Sequence, residues 1–167
     1  MKVIKFGGTS VANPDSLSLV IDIINRSNEK QLVVVSALSG VTDLLSAMAK
    51  SASNSEINYK ESLNIIEQRH KLLIDHFIPV TKQSEIISFL KAQINELEEI
   101  LDSLFKLNEL TSKSNSKILS FGEILSSNII FKILKYNGND VIFKDTRDII
   151  FKKTVNDREV VDDFLSN

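Results

Sequence analysis

The chain has no cysteine among its 167 residues, which excludes disulfide scaffolds, thiolate-bound zinc, iron–sulfur clusters and a thiol nucleophile. Nor has it a surplus of either charge: 20 basic against 22 acidic side chains leave a formal net charge of -2. Nucleic-acid binding normally needs a basic surplus, and a disordered polyanion is acidic and poor in apolar residues. A chain that is 43% hydrophobic and 25% charged fits neither class. Long apolar runs are also missing, since none approaches the roughly 18 residues needed to cross a bilayer. The start, Met1 to Gly8, is interrupted by Lys5 and does not read as a signal peptide. Asn25-Arg26-Ser27 has the form of a glycosylation acceptor, but without an export signal it is a chance match. The expectation is a cytoplasmic protein with a real core and no nucleic-acid or membrane partner.

What is present is a succession of elements. Val3 to Phe6 predicts a short strand closed by Gly7-Gly8. Asn13 and Pro14 then suit an N-cap and a first helical position, and Leu17, Val20, Ile21 and Ile24 recur on one helical face. Leu32 to Val35 is an unbroken apolar run, as in strands buried on both faces. A helix with Val41, Leu44, Leu45 and Met48 on its stripe follows. Strand, turn, helix, strand, helix is how an α/β fold with parallel strands begins. Residues 56–77 and 83–107 predict two long helices in an αα-hairpin, broken at Ile78-Pro79-Val80, the second about 35 Å long. Residues 108–116 read as a loop, 117–136 as a helix stopped by Asn137-Gly138, and Val141 to Phe143 as a further strand.

Three segments could carry chemistry. Lys5-Phe6-Gly7-Gly8-Thr9-Ser10 ends the first strand. Adjacent glycines let backbone approach a ligand, successive amides form an anion nest, and Lys5 can bring its ammonium to the same anion. The spacing is neither that of a Walker loop nor of a dinucleotide fingerprint, and on spacing alone a tight turn with a solvated lysine accounts for it slightly better. Ser36-Ala37-Leu38-Ser39-Gly40-Val41-Thr42 follows the second strand, where open α/β sheets bind ligands; Thr42 is also placed to be a helix N-cap. Ser120-Phe121-Gly122-Glu123 has the form of a capping box, yet helical periodicity begins already at Ile118. A glycine inside that helix costs about 1 kcal/mol relative to alanine, and Gly beside Glu also suits close approach of a ligand ammonium. His70 and His76 lack the i, i+4 spacing of a metal pair and read as surface or packing residues. Glu96, Glu98 and Glu99 read as the wet face of the hairpin, and Asp145, Arg147 and Asp148 as a local ion-pair turn.

Taken in order, KFGGTSVA, VVVSALSGVTDLL and SFGEILSS resemble the N-terminal half of the aspartokinases (aspartate kinases) of the amino-acid kinase fold, and DVIFKDTRDII extends the resemblance over nearly the whole chain. The fold it implies is α/β: a mostly parallel sheet flanked by helices, with the long αα-hairpin as an insertion. The activity it implies is transfer of the γ-phosphoryl of Mg-ATP to the side-chain carboxylate of L-aspartate, giving 4-phospho-L-aspartate. That is the first step toward lysine, threonine and methionine. By resemblance Lys5 is the catalytic residue that stabilises the phosphoryl group, and Lys5, Phe6, Gly7, Gly8, Thr9 and Ser10 take the nucleotide's phosphates. Ser36, Thr42 and Glu123 serve the substrate, Glu123 receiving its α-ammonium. No metal ligand is assigned.

In that family the base and ribose site, most of the Mg2+ site, an Arg-bearing substrate loop and a further catalytic Asp lie in the second half of the kinase domain. ACT regulatory domains follow them. The resemblance thus implies that residues 1–167 are the amino-acid-substrate part of a catalytic domain, inactive alone, whose full-length parent is a homo-oligomer. Other readings are an amino-acid kinase for glutamate or a carbamate, and a non-catalytic helical assembly module.

Overall fold

In the computed structural model, which describes residues 1–155 and 158–161, β1 (Lys2–Phe6) and β2 (Gln31–Val35) pair in parallel, from Lys2 opposite Gln31 to Phe6 opposite Val35. Between them runs α1 (Pro14–Asn25). Its start is as the sequence predicts: the Asn13 side chain accepts from the Ser16 amide, and the Ser16 hydroxyl returns the favour to the Asn13 amide, with Pro14 in the first turn. Leu17, Val20, Ile21 and Ile24 are its buried face.

The strands themselves depart from expectation. Ile4, Phe6, Val33 and Val35 face the core, whereas Val3, Leu32 and Val34 are 61%, 48% and 40% exposed. Among the described residues the sheet is therefore covered on one face only. The unbroken apolar run in β2 is compatible with that pleat, because side chains alternate between faces whatever their polarity.

Helices supply most of the core. α2 (Val41–Ser53), α3 (Tyr59–Phe77), α4 (Ser84–Leu107) and α5 (Ser112–Tyr136) pack against one another, with short α2 touching the other three. The hairpin of α3 and α4 forms as periodicity predicts. Its break has a local cause: Ile78, ahead of Pro79, is forced to extended φ/ψ of -124° and 123°, and Gln83 Nε2 donates to the Ile78 carbonyl at 2.7 Å. α4 ends at Asn108 in the left-handed conformation, and the Ser55 hydroxyl, itself on a left-handed residue, bonds the Asn108 side chain. Tyr59 on α3 donates to Asp102 on α4 at 2.6 Å; burial first, then this bond, pushes the phenol pKa up to about 12. Glu96 and Glu98 lie on the wet face as expected and pair with Lys117 and Lys60.

α5 begins earlier than expected. Residues 112–116 are helical because Thr111 and Ser114 form a capping box, with serine where glutamate is more familiar. The box suggested at Ser120 and Glu123 does not exist: Ser120 is mid-helix and its hydroxyl donates to the Lys117 carbonyl. The Asn137-Gly138 stop is real, with Gly138 at φ +84°. Val141 to Phe143 form no strand, since no neighbouring strand edge pairs with them; Phe143 instead meets the Phe131 ring at 5.5 Å. The ion-pair turn is present, Arg147 bonding Asp145 through Nε and Nη2. β3 (Lys152–Val155) and β4 (Arg158–Val161) form an antiparallel pair, and residues 156–157 and 162–167 lie outside the described residues. No helix among the described residues is long and apolar enough to cross a membrane.

One junction positions everything around the sheet's carboxyl end. A Cβ on Gly8 would lie 2.7 Å from the Ala37 carbonyl oxygen, and one on Gly122 would lie 2.7 Å from Ala37 Cβ. The loop after β2 is thus pressed between the turn after β1 and the middle of α5. Gly122→Ala should destabilise the fold by about 1–3 kcal/mol through overpacking, against the gain of about 1 kcal/mol that helix propensity alone predicts; urea denaturation decides, and a gain would mean the loop yields freely.

His70 is fully buried on α3, its Nδ1–H donating to the Ile66 carbonyl at 2.8 Å while Nε2 has no partner. Burial lowers its pKa to about 4. The unfolded chain, with an ordinary value near 6.5, takes up the proton first as pH falls, so stability is lost between those values. We expect about 2 kcal/mol less stability at pH 5 than at pH 7.5 from this group, and denaturation of His70→Gln at both pH values should show that component gone.

Candidate active site

β1 delivers its last residues to two different surroundings. Phe6 turns inward and is part of the core, leaving only its backbone to a ligand, and its carbonyl already accepts from the Ser36 amide at 3.2 Å. Lys5, one residue earlier, points the opposite way and stands exposed on the uncovered face beside its register partner Val34. Among the described residues no carboxylate ion-pairs with Lys5. Its ammonium is free for an anion.

The two glycines divide the work. Gly7 is extended, exposed, and would meet nothing within 4 Å if given a Cβ, so the space beside it is open to a ligand. Gly8 is the opposite case, jammed against Ala37 and Ser39, and its carbonyl accepts from the Ser39 amide at 3.1 Å. A 3₁₀ turn, Gly8–Val11, begins here, and its first amides have no partner within the turn. Thr9 is exposed and Ser10 half-buried on that turn. The Ser10 amide donates to the Gly7 carbonyl at 3.0 Å, and the hydroxyls of Thr9 and Ser10 with the leading amides are the groups named by the anion-nest expectation.

The second segment is held by its backbone. Ser36 donates its amide to Phe6, and its carbonyl accepts from the Ser126 hydroxyl on α5 at 2.8 Å. Ala37 and Leu38 are buried, and Gly40, left-handed at φ +76°, is the residue that caps α2. Thr42 is therefore not the N-cap; it sits one residue inside the helix, exposed, with its hydroxyl unused by the cap. The capping explanation falls away.

The third segment meets the second through one helical face. Gly122 touches Ala37, Val41 and Leu45, and Ser126, one turn on, reaches Ser36. The mid-helix glycine is explained by this contact with protein. Glu123, the neighbour of Gly122, is exposed. Ser126 was missed in the sequence, although small residues at 122 and 126 share a helical face and could have signalled a close approach. Missed also was Arg69: α3 places its Nη1 3.8 Å from where a Cβ on Gly40 would be.

The structure thus brings Gly8, the 36–40 loop and Gly122 into contact, with Gly7, Thr9, Thr42 and Glu123 at the surface around them. Lys5, Thr42 and Glu123 make no bond to one another among the described residues. No group of three or more His, Asp or Glu among the described residues could hold a metal ion. The arrangement offers backbone amides, a cation, hydroxyls and a carboxylate. That set suits binding and charge stabilisation of a transferring anionic group.

Comparison with known proteins follows the same lines. The Amino acid kinase family model matches residues 1–167. A bifunctional aspartokinase/homoserine dehydrogenase of Daucus carota is 26% identical over 164 residues, covering 98% of this chain and 18% of the relative. The aspartokinase of Chlamydia pneumoniae is 31% identical over 148 residues, 89% of this chain and 30% of the relative. Among solved structures, Escherichia coli aspartokinase III in complex with aspartate and ADP superposes with a TM-score of 0.87 at 23% identity, over 99% of this chain and 36% of that one. The chain spans under two-fifths of the length of each of these proteins, and the fold likeness extends over almost all of it. It belongs to the amino acid kinase family.

Proposed function

We propose that residues 1–167 form the part of an aspartokinase catalytic unit that takes L-aspartate and the phosphoryl end of ATP. The observation that carries this reading is the junction at Ala37. Because Gly8 and Gly122 both close on it, three segments distant in sequence become one surface at the carboxyl end of the parallel strands, where such sheets bind ligands. Support comes from the relatives' names and from the E. coli structure, which holds aspartate and ADP.

In the reaction an oxygen of the substrate's side-chain carboxylate attacks the γ-phosphorus, the bond to the bridging oxygen breaks, and ADP leaves with the charge. The step needs alignment and neutralisation of charge more than covalent help. Lys5 stabilises the phosphoryl group in flight. Gly7 leaves its oxygens room, while the first amides of the 3₁₀ turn and the Thr9 and Ser10 hydroxyls donate to them. Thr42 donates its hydroxyl to the amino acid, Ser36 borders the same surface, and Glu123 receives the α-ammonium. Among the described residues no three of His, Asp or Glu gather as a metal site, and this reading assigns most of the Mg2+ site to other residues. The same reading makes the protein a cytoplasmic enzyme of amino-acid biosynthesis, homo-oligomeric in its full form, with residues 1–167 inactive alone.

The test is aspartate-dependent release of ADP by the protein expressed from its complete reading frame. Lys5→Ala should lower kcat/KM by about 100-fold or more, the scale of losing one preorganised charge-stabilising group. Glu123→Gln should raise KM for L-aspartate while leaving KM for ATP nearly unchanged. Undiminished turnover in Lys5→Ala would remove Lys5 from the mechanism.

A further inference from the structure

Serines inside helices commonly spend their hydroxyls on the helix's own backbone. Two on α5 do so: Ser120 donates to the Lys117 carbonyl at 2.7 Å and Ser127 to the Ile124 carbonyl at 3.4 Å, each three residues back. Ser126 departs from them. It is fully buried, and its hydroxyl lies 2.8 Å from the Ser36 carbonyl oxygen, 90 residues away in sequence, and 3.3 Å from the Glu123 carbonyl oxygen. A hydroxyl has one proton to give. The shorter contact takes it, so the loop after β2 wins over the carbonyl of the helix itself.

The two acceptors belong to the two sides of the amino-acid site. Ser36 opens the loop that leads to Thr42, and Glu123 bears the carboxylate assigned to the α-ammonium. Packing brings these sides together at Gly122, where the Ala37 methyl group leaves no room for a side chain. Such a contact is non-directional: it sets how near the loop comes to α5, but not where along the helix it sits. A hydrogen bond is directional. The one at Ser126, a turn along from Gly122, fixes the loop along the helix axis as well. Thr42 and Glu123 make no bond to each other, so their spacing depends on what joins their backbones. We propose that Ser126 is a positioning residue for the amino-acid substrate: its bond to the Ser36 carbonyl sets the distance between the Thr42 hydroxyl and the Glu123 carboxylate. The inference rests on the proposed aspartokinase reading.

The experiment uses the protein from its complete reading frame, with Ser126→Ala, Ser126→Cys and, as a control on the same helix, Ser127→Ala. Steady-state kinetics should show KM for L-aspartate raised about 10-fold in Ser126→Ala, the scale of one lost hydrogen bond to a partly buried group, with KM for ATP unchanged. Ser126→Cys, close in size but a weak donor, should fall between Ser126→Ala and wild type, and Ser127→Ala should match wild type. In a Glu123→Gln background the Ser126→Ala change should cost little more, because the spacing it disturbs no longer serves the α-ammonium. An unchanged KM for L-aspartate, an equal rise in both KM values, or the full penalty added on top of Glu123→Gln would overturn the proposal. Melting temperatures separate these results from unfolding, and if Ser126→Ala does not fold, the same three outcomes in Ser126→Cys decide. Calorimetric titration with L-aspartate keeps the result apart from the enzymatic reading. Binding that weakens in Ser126→Ala without any turnover in wild type retains Ser126 and rejects the kinase; wild type that neither binds nor turns over L-aspartate rejects both.

Discussion

The constraint on which the rest of the structure depends is the space around Ala37. Its carbonyl oxygen leaves no room for a side chain at residue 8, and its methyl group leaves none at residue 122. Two hydrogen bonds fix the same loop from both sides, Ser39 to the Gly8 carbonyl and the Ser126 hydroxyl to the Ser36 carbonyl. Interiors are packed to crystal-like density, so an approach this close sets relative positions to within a few tenths of an ångström. The turn after β1, the loop after β2 and α5 thereby become one rigid unit. Exposed groups borne on such a unit keep their spacing without touching one another.

Around this unit the four packed helices act as a frame. Its polar groups are tied where they can be: Tyr59 to Asp102, Gln83 to the Ile78 carbonyl, Ser55 to Asn108. His70 is the exception, neutral in the core with one nitrogen unpartnered. It precedes no break in the helix, and its neighbour Arg69 is the residue that turns toward the glycine loop. Frame and site are thus joined through adjacent residues of α3, one serving the core and one the surface.

Much of this was legible in the residues. Asn13 and Pro14 announced α1 because capping is a bond between residues three apart, and the hairpin was visible because one apolar stripe runs the length of each helix. Failures arose where the deciding partner was remote or unfamiliar. Ser120 and Glu123 matched a capping pattern, but a helix already running from Thr111 left nothing there to cap. Thr42 looked like an N-cap until Gly40, free to be left-handed, took that position. Val141 to Phe143 had strand composition and no strand beside them, and a strand exists only as half of a pair.

By itself the sequence determined the helices and their buried faces, the position of the glycine turn at the end of β1, and, through three ordered motifs, the amino acid kinase family. These follow from contacts within a few residues or from wording that few families share. Tertiary structure alone decided which glycine is open and which is packed, that Gly122 receives the Ala37 methyl, that one face of the sheet is uncovered among the described residues, and that Arg69 meets Gly40. Each of these depends on surfaces brought together from tens of residues apart, and a one-dimensional pattern carries no distance between them.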